Sequence, residues 1–170
     1  MTETLDLRLL GNLIHRFEAN MTGATLTILS HENRDEVARS LLEGLGEGIA
    51  VQTSSGEYAN QLAVLRVNGN KYTFAQDYRE TYISEINYTP CRIVANAHGV
   101  LVFHLDYPGV IYDVSRIFAE NEINISKMNV AREQKGKNAL LISLTDEVIS
   151  AEVVHALKQL SQVTNVISLK

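Results

Sequence analysis

"VLVFHLDYPGVIYDVSRIFAENEINISKMNVAREQKGKNALLISLTD", Val100 to Asp146, is the stretch that decides the fold. Its opening run, 100–106, is apolar and β-branched and reads as a strand, which Pro108-Gly109 breaks. Val110, Ile111, Val114, Ile117 and Phe118 then recur at helical spacing and predict a helix to about Glu122. "INISKMNVAR" (123–132) alternates as a strand should, "EQKGKN" is a turn, and "ALLISLT" (139–145) returns as a strand. Beyond it, Ser150 is placed to cap a helix whose stripe includes Val153, Val154, Leu157 and Leu160, and "VTNVISL" (163–169) closes the set. The order is βαββαβ over 99–170, the ferredoxin-like split arrangement.

The first half is less regular. Leu10, Leu13, Ile14 and Phe17 predict an amphipathic helix over 4–19, and Val37, Leu41 and Leu45 a second, ended by Gly44 or Gly46. Strands are expected at 24–30, 49–54, 62–67, 71–78, 81–86 and 91–96, with Asn68-Gly69-Asn70 as a hairpin turn. The pattern pauses near Ala97, His98 and Gly99, which divides the chain into domains at 1–96 and 97–170. The expected class is α+β, an N-terminal α/β module followed by the βαββαβ domain.

Composition narrows the function. Fifteen basic residues against twenty acidic ones give a net charge of −5, with no Lys/Arg cluster, which speaks against nucleic acid. No apolar run is long enough to span a membrane, and "MTETLDLRLL" lacks the basic start and apolar core of a secretory signal. A cytoplasmic location is therefore expected. Cys91 is the single cysteine, in a strand-like context that predicts a buried structural thiol. Alone it cannot supply a zinc or iron–sulfur site, and the histidines lack metal spacing. Neither a metal nor a cofactor is expected in this chain, and no nucleophile–base motif points to catalysis.

The residues around the first strand's end carry the chemistry. Gly109 lacks a Cβ, so a ligand can approach the N–H groups of the helix start, where a carboxylate is favoured. Asp106 and the side-chain oxygen of Asn124 can accept from an ammonium, and His104 adds a polar contact. That set suits a zwitterion. The same spacing also reads as an ordinary loop and helix start, with proline in the first helical turn and no ligand.

The segment Leu101–Asp146 resembles the ACT domain, a small-molecule-binding regulatory fold, and is similar to those of iron–sulfur L-serine dehydratase β chains and D-3-phosphoglycerate dehydrogenases. In the serine-regulated dehydrogenase a His-x-Asn before Pro-Gly, and an Asn in the following strand, hold L-serine. The resemblance therefore implies a ligand site at His104, Asp106, Pro108, Gly109, Val110 and Asn124, and Asp106 departs from it by replacing Asn. It also implies a homodimer with ligand sites at the interface. The first half resembles, more weakly, the allosteric substrate-binding domain that precedes ACT in both families. The dehydratase β chain opens with Ser-Ser-His-Thr-x-Gly-Ala, of which "EANMTGA" (18–24) keeps Thr22, Gly23 and Ala24.

These implications converge on an allosteric regulatory or accessory chain that binds a small amino acid, L-serine above others. The alternative is the β chain of a two-chain L-serine dehydratase, with a [4Fe–4S] cluster in a catalytic α chain. A third, the acetolactate synthase small subunit, shares the Pro-Gly-Val pattern but places ACT first in its chain.

Overall fold

The computed structural model describes residues 2–56 and 58–170. By chain contacts it falls into two compact units, 1–87 with 91–95 and 88–90 with 96–170.

In the first unit the amphipathic stripe forms helix α1 (Thr2–Phe17), followed by strand β1 (Thr25–Ile28), helix α2 (Arg34–Leu45) and strand β2 (Ala50–Thr53). Strands β3 (Gln61–Val67), β4 (Asn70–Gln76), β5 (Thr81–Ile86) and β6 (Thr89–Ile93) follow. The sheet order is β2-β1-β3-β4-β5-β6, and the β1–β2 pair is parallel. Leu10, Ile14, Leu26, Leu41, Leu65, Phe74 and Ile83 are fully buried in this unit.

Of the two glycines offered as the end of α2, Gly46 is the C-cap, at φ 102. Gly44 lies inside the helix, where an added Cβ would collide with the carbonyl of Arg8, just as one on Gly11 would meet that of Leu41 at 2.7 Å. Glycine is needed there because the α1 and α2 backbones come close together. The β3–β4 turn is a two-residue loop, Asn68 (φ 52) and Gly69 (φ 80), and Asn70 already pairs with Val67. Two positive φ values give the turn the twist a hairpin needs. The last strand starts earlier than the expected 91–96 and includes Pro90, tolerated because β6 is an edge strand. Cys91 is half-buried rather than buried, and its thiol donates to the Ile83 carbonyl at 3.4 Å.

The second unit runs β7 (His98–Leu105), α3 (Val110–Glu120), β8 (Ile125–Arg132), β9 (Asn138–Thr145), α4 (Ala151–Lys158) and β10 (Val163–Ser168). This is the expected βαββαβ order in an α+β fold, and its sheet runs β10-β7-β9-β8, antiparallel throughout. Val100, Val102, Leu141 and Val166 of the sheet pack with Val114, Phe118, Val153 and Leu157 of the two helices. Ser150 accepts from the Val153 N–H and caps α4. Ile111, counted in the apolar stripe of α3, is instead half exposed at 51%. No described helix is long and apolar enough to cross a membrane.

Candidate functional site

Strand alternation sends Val100, Val102 and His104 of β7 to the same face, so a histidine ends a row of core valines. His104 is 1% exposed. Its Nδ1 lies 2.8 Å from the Leu105 carbonyl oxygen, which can only accept, so Nδ1 carries the proton of that bond. In a neutral ring Nε2 is then an acceptor, and it is buried with no partner among the described residues. The Tyr107 ring packs edge-on against the imidazole at 6.2 Å, and its hydroxyl donates to Asp113 at 3.1 Å. Burial, and then the Asp113 bond, raise the Tyr107 pKa, so this hydroxyl stays a donor.

One residue past the strand, Asp106 is tied to the β8–β9 turn. Its Oδ2 accepts from Arg132 Nη1 at 2.9 Å and from the Gly136 N–H at 3.0 Å. Its own N–H donates to the Lys137 carbonyl at 2.7 Å. The Gly136 bond, and next the Arg132 guanidinium, hold the carboxyl below the ordinary aspartate range. Asp106 is thus a compensated anion, already engaged by its own chain.

The loop then turns into α3. Pro108 and Gly109 are exposed, while Val110 is buried as the first residue of the helix. Proline therefore stands two places ahead of the helix instead of in its first turn. Gly109 is the N-cap at φ 99 and offers no side-chain cap, so the first amides of α3 have no capping oxygen. A Cβ built on Gly109 would meet nothing within 4 Å. Glycine is required by the backbone angle, and the space beside it is open.

Asn124 is not part of this cluster, and here the sequence reading needs correction. Strands β7 and β8 flank β9 and run parallel to each other, with Ile125 opposite Thr145 and Leu105 opposite Asn138. Asn124 precedes β8 while Asp106 follows β7, so they sit at opposite ends of the sheet. Asp106 lies beside Lys137 and Asn124 beside Asp146, so at about 3.3 Å per residue the gap is roughly 30 Å. At its own end Asn124 donates from Nδ2 to Asp146 at 2.7 Å and from its N–H to Glu147 at 2.9 Å. Within one chain, the structure brings His104, Asp106, Pro108, Gly109 and Val110 to one strand end, joined by Arg132 and Gly136. Sequence reading missed the last two because no local pattern pairs Asp106 with residues 26 and 30 positions away.

The first unit holds a second buried polar cluster that sequence reading also missed. Glu18, 6% exposed, accepts from Asn70 Nδ2 at 2.7 Å, Tyr72 Oη at 2.8 Å and Asn68 Nδ2 at 3.1 Å. It opens the "EANMTGA" segment, so a carboxylate pins the end of α1 to the β3–β4 hairpin. No described group of His, Cys, Asp and Glu has an arrangement suited to a metal ion.

Residues 100–168 match the family described as the AHAS small subunit-like ACT domain. Over longer stretches the chain is similar to D-3-phosphoglycerate dehydrogenase of Bacillus subtilis, 31% identical over 75% of this chain and 24% of that protein. The enzyme of the same name from Archaeoglobus fulgidus is 28% identical over 89% of this chain and 33% of its own length. A probable L-serine dehydratase β chain of Bacillus subtilis is 34% identical over 51% of this chain and 38% of its own. The chain thus spans between about a quarter and two fifths of these relatives. Among solved structures, the ACT domain of a Chlorobium tepidum GTP pyrophosphokinase aligns with 42% of this chain and 95% of its own, at 13% identity and a TM-score of 0.34.

Proposed function

We propose that this chain, whose C-terminal part is an ACT-type regulatory domain related to proteins of serine metabolism, binds a small α-amino acid and acts as a cytoplasmic regulatory or accessory protein. The observation that carries this reading is the unpaired Nε2 acceptor of His104, buried one short loop from the uncapped start of α3. Buried polar atoms are normally paired, so an acceptor left over one loop from uncapped amides suits a ligand with a donor at one end and a carboxylate at the other. The carboxylate takes the α3 amides over Gly109, the ammonium takes Asp106, and a side-chain hydroxyl donates to His104. A hydroxyl on the β-carbon makes L-serine the favoured ligand.

Asn124 enters this reading through a second copy of the chain. Strand β8 is a sheet edge, with Val130 exposed and Met128 half-buried. If two β8 edges pair antiparallel about a two-fold axis through their midpoints, the partner's Asn124 comes beside Arg132, next to Asp106. A homodimer thereby restores the set that one chain separates. The chain holds no cofactor of its own in this proposal.

A thermal-shift screen of the twenty amino acids, followed by calorimetry and light scattering, tests the proposal. L-Serine should raise the melting temperature by mass action on a dimer. No stabilisation by any amino acid would refute the reading. The match to the dehydratase β chain favours a second one, in which this chain completes an enzyme whose [4Fe–4S] cluster resides in another chain. Serine turnover on mixing with such a partner, without stabilisation of this chain by serine alone, would select it.

A further inference from the structure

Asp106 already has a cationic partner. Its Oδ2 already accepts from Arg132 and from the Gly136 amide, at 2.9 and 3.0 Å. Arg132 is the last residue of β8, and Gly136 lies in the turn that follows. The third link, from the Asp106 N–H to the Lys137 carbonyl, is backbone and survives any change at the carboxylate.

We infer that Arg132 is the resident occupant of the ammonium subsite, an internal counter-ion that an α-amino acid displaces when it binds, and that the displacement loosens the turn at 133–137. The inference rests on the amino-acid reading above. Two observations favour exchange over a fixed structural pair. The Arg132 side chain is 52% exposed and that of Asp106 27%, and ion pairs so close to water are individually weak. A ligand ammonium arrives already held by its carboxylate on the α3 amides, so it reacts at a high local concentration that offsets the guanidinium. Because the pair joins the ligand loop to the end of β8, exchange at Asp106 is felt at the sheet edge.

The inference separates ligand classes. An α-amino acid evicts Arg132 and changes the Gly136 hydrogen bond. A 2-hydroxy acid such as glycolate occupies the α3 amides but brings no cation, so it leaves Arg132 and Gly136 in place. The ammonium is therefore what converts binding into a change at the turn.

The test uses the full chain, wild type and Arg132→Gln, titrated by calorimetry with L-serine and then with each other proteinogenic amino acid. Removing the competing guanidinium should tighten binding about two- to five-fold, while Arg132→Lys, which keeps a cation, should bind close to wild type. In the wild type, the Gly136 amide resonance should shift on saturation with the amino acid and stay in place with glycolate. Circular dichroism checks that each variant is folded. Equal or weaker binding by folded Arg132→Gln, or a Gly136 resonance that does not move at saturation, would overturn the inference and leave the amino-acid site standing. Failure of every amino acid to bind either protein would overturn both together.

Discussion

Glu18 in the first unit and His104 in the second are both buried polar side chains, and their surroundings serve them very differently. The Glu18 carboxylate receives three neutral donors, from Asn68, Asn70 and Tyr72. Among the described residues the His104 ring makes one hydrogen bond and leaves Nε2 without a partner. The first arrangement is complete and fixes structure, whereas the second has capacity to spare at the mouth of a loop. Buried hydroxyls of Ser40, Thr81 and Ser143 also lack partners among the described residues, so an unfilled atom by itself marks nothing. What distinguishes His104 is its company: an uncapped helix start, an open glycine and an engaged carboxylate, all within a few residues of one strand end.

The largest effect expected from this contrast is on stability at Glu18. Glu18→Ala strands three donors around a buried hole and should lower the unfolding free energy by about 3 kcal/mol, read from urea denaturation. An unchanged midpoint would mean that water replaces the carboxylate and that the cluster is not structural.

Asp106→Ala should act the other way round. The pair it breaks is exposed, so the urea midpoint should barely move, while amino-acid affinity falls roughly 10- to 100-fold. Loss of stability without loss of affinity would make Asp106 a turn clasp only. His104→Leu sharpens the same point. Removing an unsatisfied buried nitrogen should leave stability within about 1 kcal/mol of wild type, yet L-serine should bind about tenfold more weakly. If the variant instead unfolds like Glu18→Ala, the two residues are equivalent and the contrast fails.

The smallest effect concerns Asp77. Burial would raise its pKa, but donation from the Arg79 and Glu80 amides and from Arg92 overcomes this and holds it at about 2. A lowered folded value means that its contribution is fully present above the ordinary value of 3.8 and is lost as the pH falls toward 2. Between these values the wild type should lose stability more steeply than Asp77→Asn, and parallel acid curves would contradict the assignment.

Gly109→Val is a poor probe of this loop. Gly109 sits at φ 99, so any side chain strains the backbone before it meets a ligand. The space around Gly109 is open, so the cost of a side chain there comes from the backbone angle and not from crowding. The first helical turn offered to Pro108 begins at Val110, where the apolar stripe starts, since Gly109 takes the left-handed N-cap.

Local sequence carries the element order of the second unit, the Asn68-Gly69 turn, the Ser150 cap and the loop that follows His104 at the end of β7. Each of these depends on residues within about one turn or one strand of each other, where periodicity and backbone preference act directly. Tertiary structure alone decided which elements meet: that Gly11 and Gly44 let two helices touch, that Glu18 finds donors 50 to 54 residues away, and that Arg132 reaches Asp106. It also put Asn124 at the far end of the sheet from Asp106. Strand order and register fix these distances, and both are set by packing across the whole domain rather than by any local run of residues.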